Sequence, residues 1–194
     1  MKIRLFDQSA QFPKHLEALR NSEIMPYDTD LLTEKNSMIK IDGFSRLSEL
    51  NTEAFFNYHI FPEHILNGYP QWVDEQRAIQ PGDTIVQQAF LPPLPILSQK
   101  IIFGVRIKEI FREEKRIGFS YETLKGHVEQ GISYFTLEET TGGIVFRICT
   151  FSRPGNFLSR IAGSLFSLPY QRYCTRKALQ HVKTSLLSKN NELK

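Results

Sequence analysis

The feature that most constrains this chain is a change of hydrophobic period near residue 84, from a helical repeat to a two-residue repeat. The alternation is clearest where Ile101, Phe103, Val105 and Ile107 alternate against Arg106 and Lys108, a pattern typical of a strand with one buried face. Strands are predicted at 84–90, 101–108, 117–124, 132–138 and 144–151. Most of the connections are too short to hold crossover helices, so an antiparallel meander is predicted.

Helical periodicity precedes and follows the predicted sheet. Residues 47–58 carry apolar side chains at helical spacing, and a second short helix is expected to begin near Pro62 and end at Gly68. Beyond the sheet, apolar stripes at 157–166 and 173–186 predict a long terminal helix with an interruption at Pro169. Residues 1–44 are expected to be irregular, with short strands such as 38–41.

These elements predict a single α+β domain over residues 1–194. An irregular region, 1–44, precedes short helices and the sheet, 45–155, and the C-terminal helix follows at 156–189. A curved antiparallel sheet must cover its apolar face, and the long helix is the obvious cover. The predicted fold class is therefore a helix-grip, a curved antiparallel meander wrapped on a terminal helix.

Composition and the absence of known motifs argue against several classes of protein. No segment approaches the ~20 apolar residues of a membrane span, and the first residues have no apolar signal region, so a cytoplasmic protein is expected. The two cysteines, Cys149 and Cys174, make neither a disulfide framework nor a zinc site, and both are expected to act as small buried hydrophobes. No phosphate-binding loop, dinucleotide fingerprint or hydrolase elbow occurs, and neither metal nor cofactor is predicted.

The charge is unevenly distributed along the chain. From Phe151 onward the formal charge is +7, whereas the preceding residues sum to −4. A basic segment is typical either of an anionic partner or of a solvated helix face that pairs with the acidic body. The second interpretation is favoured because no block of five like charges occurs. Nucleic acid is not expected as a partner, and contact with a membrane surface is a minor alternative.

The meander places several polar residues at one edge of the sheet. The loop 125–131 follows the third predicted strand, and the last strand returns to the same edge at residues 152–155. The residues expected to gather there are Tyr121, Thr123, His127, Glu129 and Arg153.

Two interpretations of this cluster remain open. In the functional one, His127 is a general acid or base oriented by Glu129, and Arg153 binds a carboxylate or phosphate. In the structural one, which is favoured, Glu129 pairs with Arg153, and His127 bonds to backbone within a loop flanked by Gly126 and Gly131. Whether the interior is solid or encloses a cavity is also open, although fifteen phenylalanines supply ample apolar wall.

Two motifs carry a family resemblance. Residues 118–131 read GFSYETLKGHVEQG, and residues 151–154 read FSRP. Together they resemble the uncharacterised family "domain of unknown function nineteen-ninety", whose pattern is roughly GFxYGTLPGHPExGEE followed by FSRP. The likeness covers about residues 45–185, including a helix glutamine, here Gln171. The matching positions are Tyr121, Thr123, Gly126, His127, Glu129, Gly131, Arg153 and Pro154, whereas Glu122, Lys125, Val128, Ile132 and Ser133 depart from the pattern.

The resemblance implies a Bet v 1/START-like helix-grip fold and no particular activity. The leading hypothesis is a protein that binds a small, partly apolar ligand between sheet and helix. Arg153 and His127 would hold a polar or anionic end, Tyr121 and Thr123 would donate hydrogen bonds, and the walls would include Phe103, Phe119 and Phe146. The alternatives are an enzyme, which requires a partly exposed His127 near Glu129, and a surface module, which requires exposed Phe157, Leu158 and Phe166.

Overall fold

An antiparallel sheet forms the framework of the protein in the computed structural model, which describes residues 2–92, 98–154 and 168–191. Its strands are β1 Lys2–Arg4, β2 Thr33–Ile41, β3 Leu66–Pro70, β4 Thr84–Leu91, β5 Gln99–Glu113, β6 Arg116–Thr123, β7 Glu129–Thr140 and β8 Gly143–Pro154. The described helices are α1 Phe12–Arg20, α2 Glu53–Phe56, α3 Gln71–Asp74 and α4 Leu168–Asn191.

The predicted meander is confirmed. Seven strands lie in the order β2-β8-β7-β6-β5-β4-β3, and β1 pairs with the beginning of β5. Each step from β4 to β8 joins neighbours in sequence with antiparallel register. The last strand, β8, then pairs with β2, which therefore forms one edge of the sheet beside the terminal helix.

Helix α4 covers the inner face of the sheet, as a helix-grip requires. Its buried residues Ala178, Leu179, Val182 and Leu186 join the main core. The sheet contributes large side chains at the same level, among them Phe119 and Phe146, whose rings contact Phe55 of α2 at centroid distances of 5.5 and 5.8 Å. This end of the interior is a solid aromatic core.

Helix α1 covers part of the outer face. Its buried residues Phe12 and Leu16 pack on Val86 of β4 and Ile102 of β5. With α1 on one face and the core on the other, all eight residues of β4 are buried. The prediction of an irregular region at 1–44 is thus wrong at 12–20, where Pro13 occupies the first turn of the helix.

Two helix predictions before the sheet also need correction. Residues 47–58 form a short 3-10 turn, Leu47–Glu49, followed by the single-turn α2 rather than one continuous helix. Gly68 lies in β3 instead of ending a helix, and a Cβ there would come within 2.5 Å of the Tyr58 ring. The ring therefore requires a glycine beneath it. The predicted stripe at 157–166 lies outside the described residues.

Gly131 is required by its backbone geometry. Its φ is +146°, and a Cβ would lie 2.0 Å from the Phe151 carbonyl oxygen across the β7–β8 pair. Gly126, in the preceding turn, also has a positive φ of 90°, whereas Pro154 ends β8 opposite Glu129. The two glycines allow the chain to turn from β6 into β7.

We expect Gly131→Ala to destabilise the protein by about 3 kcal/mol, because the β7–β8 pair must separate to admit the methyl group. Urea unfolding measures this change. Gly142→Ala is the control: its Cβ would have one neighbour, Thr140 Oγ1, at 3.8 Å. Equal stability of the two variants would contradict the assigned role of Gly131.

Candidate functional site

The meander brings the predicted rim residues to one edge, but strand alternation divides them between two faces. Glu129 pairs with Pro154 and Gln130 with Arg153 across β7 and β8. The Arg153 Nε donates to Gln130 Oε1 at 2.6 Å, and the Gln130 amide contacts the Pro26 carbonyl. Arg153 therefore belongs to the outer face of the sheet. The predicted Glu129–Arg153 pair is wrong, and Arg153 does not line the pocket described below.

Three other predicted ligand contacts are structural. Thr123 Oγ1 accepts a hydrogen bond from the Gly131 amide at 3.1 Å. Phe119 and Phe146 are fully buried in the aromatic core. The predicted residues that do line a pocket are Phe103, Tyr121, His127 and Glu129.

A pocket of about 180 Å³ lies between the inner face and the first turns of α4. Its lining combines apolar and polar side chains. The apolar residues are Phe61, Ile65, Leu66, Ala89, Phe103, Val128, Phe135 and Ile148; the others are Lys35, Ser37, Gln87, Tyr121, His127, Glu129, Ser133, Thr150, Tyr170, Gln171, Cys174 and Thr175. Aromatic rings therefore pack one end of the interior, and the pocket lies at the other.

A row of polar side chains crosses the sheet at the pocket. The register aligns Tyr121 with Ser133, Ser133 with Thr150, and Thr150 with Lys35, on four neighbouring strands. The Ser133 and Thr150 hydroxyls are 3.1 Å apart. In the next row Phe119, Phe135 and Ile148 align, so the polar row borders directly on the aromatic core.

The polar row continues into a buried tyrosine pair. The Gln87 amide donates to the Tyr58 hydroxyl, and Tyr58 and Tyr121 are hydrogen-bonded to each other. Burial raises the pKa of Tyr121, and it raises the pKa of Tyr58 well above 10. Both phenols are therefore neutral hydrogen-bonding groups at physiological pH.

A triad joins the sheet to α4 at one end of the pocket. Gln171 Nε2 donates to Glu129 Oε1 at 2.7 Å, and Lys35 Nζ donates to Gln171 Oε1 at 2.7 Å. The Lys35 ammonium lies 3.8 Å from the same carboxylate oxygen. Burial raises the pKa of Glu129, whereas the nearby ammonium and amide favour its charged form. The triad holds the first turns of α4 over β2 and β7.

His127 is buried against backbone. Its Nδ1 lies 2.8 Å from the Glu129 carbonyl oxygen and 3.0 Å from the Glu129 amide nitrogen, and its ring meets Phe103 edge-on at 4.4 Å. Burial lowers the pKa of His127 to about 4. The imidazole is therefore neutral at pH 7 and contacts the backbone of Glu129 rather than its carboxylate. This geometry matches the structural interpretation of the loop and opposes an acid–base role.

Several pocket residues are absent from the sequence prediction: Lys35, Gln87, Ser133, Thr150, Cys174 and Thr175. Tyr121 points into the pocket from β6, and antiparallel pairing continues its inward phase onto β7 and β8. Applied to the sequence, this alternation predicts that Ser133 and Thr150 face the pocket too. Lys35 lacks such a signal, because β2 reaches β8 by a pairing between residues more than 100 positions apart. Cys174, expected to be buried, is half-buried in the pocket wall.

The architecture, a curved antiparallel sheet gripping a C-terminal helix, is that of the helix-grip proteins. The chain belongs to the family described as Domain of unknown function (DUF1990), whose model matches residues 50–181. A UPF0548 protein of Deinococcus radiodurans is 40% identical over 68 residues, which make up 34% of each chain, so the match spans about a third of that relative.

Solved structures with little sequence identity share the fold. The hypothetical protein jhp0584 of Helicobacter pylori aligns with 84% of this chain and 91% of its own, at a TM-score of 0.52 and 9% identity. Major latex-like protein 151 of Panax ginseng aligns with 81% of this chain and 99% of its own, at 0.51 and 12%. The di-domain ARO/CYC StfQ from the steffimycin biosynthetic pathway aligns with 84% of this chain and 53% of its own, at 0.53 and 12%.

Two negative findings concern the described residues alone. Across 2–92, 98–154 and 168–191, no helix has the length and apolar character needed to cross a bilayer. Within the same ranges, no three His, Cys, Asp or Glu side chains are grouped so that they could hold a metal ion.

We expect the His127 imidazole to titrate near pH 4 in an NMR pH series. Because the unfolded ring binds a proton near pH 6.5 and the folded ring does not, His127 favours folding above pH 6.5, and this contribution declines as the pH falls towards 4. His127→Asn, whose amide oxygen can accept from the Glu129 amide, should lose less unfolding free energy than the wild type between pH 7 and 4. A His127 pKa near 6.5 would contradict this assignment.

Proposed function

We propose that this protein binds a small, partly apolar molecule in the pocket between the sheet and α4. The observation that carries the proposal is the polar row, in which Tyr121, Ser133 and Thr150 lie beside the apolar pocket residues Phe103, Phe135 and Ile148. Ligand pockets are typically apolar surfaces with a few polar groups that fix orientation. A row needed only for packing would be apolar, as the adjacent row is on β6, β7 and β8, where it consists of Phe119, Phe135 and Ile148.

The pocket size limits the ligand. An engineered cavity of about 150 Å³ binds benzene, so 180 Å³ accommodates roughly one aromatic ring or a chain of about six carbons. The apolar part contacts Phe103, Phe135 and Ile148. A hydroxyl or carbonyl group on the ligand meets the hydroxyls of Ser133 and Thr150.

Ligand binding is favoured over the alternative functions. An enzyme that uses His127 and Glu129 needs the imidazole beside the carboxylate, whereas Nδ1 is engaged by the Glu129 backbone and the low pKa keeps the ring neutral. The surface-module hypothesis depends on Phe157, Leu158 and Phe166, which lie outside the described residues. A specific observation therefore supports the pocket alone.

Native mass spectrometry of the purified protein, together with an NMR titration using hexan-1-ol, tests the proposal. We expect hexan-1-ol to shift amide signals of the pocket strands. Ile148→Phe adds a ring to the pocket wall and should weaken hexan-1-ol binding by about tenfold or more, because the added carbons occupy the ligand volume.

Val145→Phe is the matched control, since Val145 lies on the same strand and alternates to the outer face. It should leave hexan-1-ol binding unchanged, as should Arg153→Ala. Both variants and Ile148→Phe are first compared by thermal unfolding. If hexan-1-ol shifts no pocket signals, or if Ile148→Phe binds it as well as the wild type does, the pocket is not the binding site.

A further inference from the structure

A second cavity adjoins the pocket along the edge of the sheet. It is a groove of about 410 Å³ between β2 and α4. Four of its residues, Lys35, Ser37, Gln171 and Thr175, also line the pocket, and the others are Thr33, Asn36, Arg172, Arg176 and Leu179. Pocket and groove are thus neighbours that share the Lys35 and Gln171 side chains of the triad.

The groove differs from the pocket in charge. Its charged residues are all cations, namely Lys35, Arg172 and Arg176, whereas Glu129 lines the pocket and not the groove. Arg172 and Arg176 are four residues apart, so they project from the same face of α4. Both are exposed, and in the described part of the chain neither lies within 4 Å of a carboxylate.

Two other basic side chains show how an acidic partner neutralises such a charge. Lys183 of α4 pairs with Asp42, and Lys108 pairs with Glu122. Arg172 and Arg176 repel each other on one helix face, and an anion between them would relieve this repulsion. The guanidinium group presents a planar fork of donors that matches phosphate and carboxylate oxygens.

We infer that the groove binds the phosphate head of an amphiphilic ligand whose apolar end occupies the pocket, an assignment that rests on the proposed function. The phosphate lies between Arg172, Arg176 and the ammonium of Lys35. The Thr175 hydroxyl and the Gln171 amide, at the junction, lie where the head joins the apolar part. Glu129 lies on the pocket side of the triad, away from the head.

Three probes of matched structure test this assignment by NMR or calorimetric titration at constant ionic strength: hexan-1-ol, hexyl phosphate and inorganic phosphate. We expect hexyl phosphate to bind about tenfold or more tightly than hexan-1-ol, because charge-assisted hydrogen bonds are added to the same apolar contact. Inorganic phosphate should bind more weakly than hexyl phosphate, because it lacks the apolar part.

The decisive variant is the double substitution Arg172→Gln/Arg176→Gln, which removes both charges and keeps residues that favour a helix. It should weaken hexyl phosphate binding by about tenfold or more and leave hexan-1-ol binding unchanged. The control Lys40→Gln/Lys177→Gln removes the same charge from β2 and α4 at exposed positions outside the groove, and its effect should be small. Thermal unfolding verifies that both double variants are folded.

Each outcome separates the two proposals. Equal affinity for hexyl phosphate and hexan-1-ol, or full affinity in the arginine variant, overturns the groove assignment and leaves the pocket proposal standing. If inorganic phosphate binds as tightly as hexyl phosphate, the proposal of an amphiphilic ligand is wrong, because the groove would then bind free phosphate. If hexan-1-ol does not bind to the wild type, the pocket proposal fails independently of the arginines.

Discussion

The two-residue repeat of the β-strand determines which side chains can reach the terminal helix. On β7 and β8 it directs Ser133 and Thr150 inwards and Gln130 and Arg153 outwards. Because the long strands are paired in antiparallel register, the phase of one strand fixes the phase of its neighbours. A rim residue therefore contributes to the pocket only if its position in the repeat is correct, however close it lies to the edge.

Side-chain size then divides the inner face into two regions. At one end Phe55, Phe119 and Phe146 pack together within the main core, to which α4 also contributes. At the other end the facing positions are small, among them Ala89, Ser133 and Thr150, and the volume is left open. The triad holds α4 over this end, so the helix cannot simply collapse onto the smaller residues. Small side chains at these positions, beneath a helix that the triad holds in place, leave the pocket open.

The sequence predicts the features that depend on local pattern. The alternation at 101–107 and the short connections are enough to predict the meander, and the terminal apolar stripe is enough to predict the helix that covers it.

Features that depend on distant contacts are not predicted by the sequence. Helix α1 has no side-chain cap at its N-terminus. It is stabilised instead by packing on Val86 and Ile102, some 70 to 90 residues away in the sequence. Gly68 resembles a helix stop, yet the ring of Tyr58 is what requires a glycine there. The chain topology correctly predicts the edge of the sheet at which Arg153 lies. The face depends on the phase of the two-residue strand repeat, which places Arg153 on the outer face of the sheet.

The basic residues of α4 fall into two groups: one pairs with an acidic residue, and the other lines the groove. Lys183 pairs with Asp42, as expected for a solvated face against an acidic body. Two to three turns earlier, Arg172 and Arg176 line the groove, whose other charged residue is Lys35, and in the described part of the chain neither arginine has an acidic partner. Lys35 links the two environments, since it is bonded to Gln171 and stands between the Glu129 carboxylate and the arginines. An anion in the groove would draw the Lys35 ammonium away from Glu129, and the buried carboxylate would then take up a proton more readily. If the groove binds the head, Lys35 would therefore couple that binding to the protonation of Glu129.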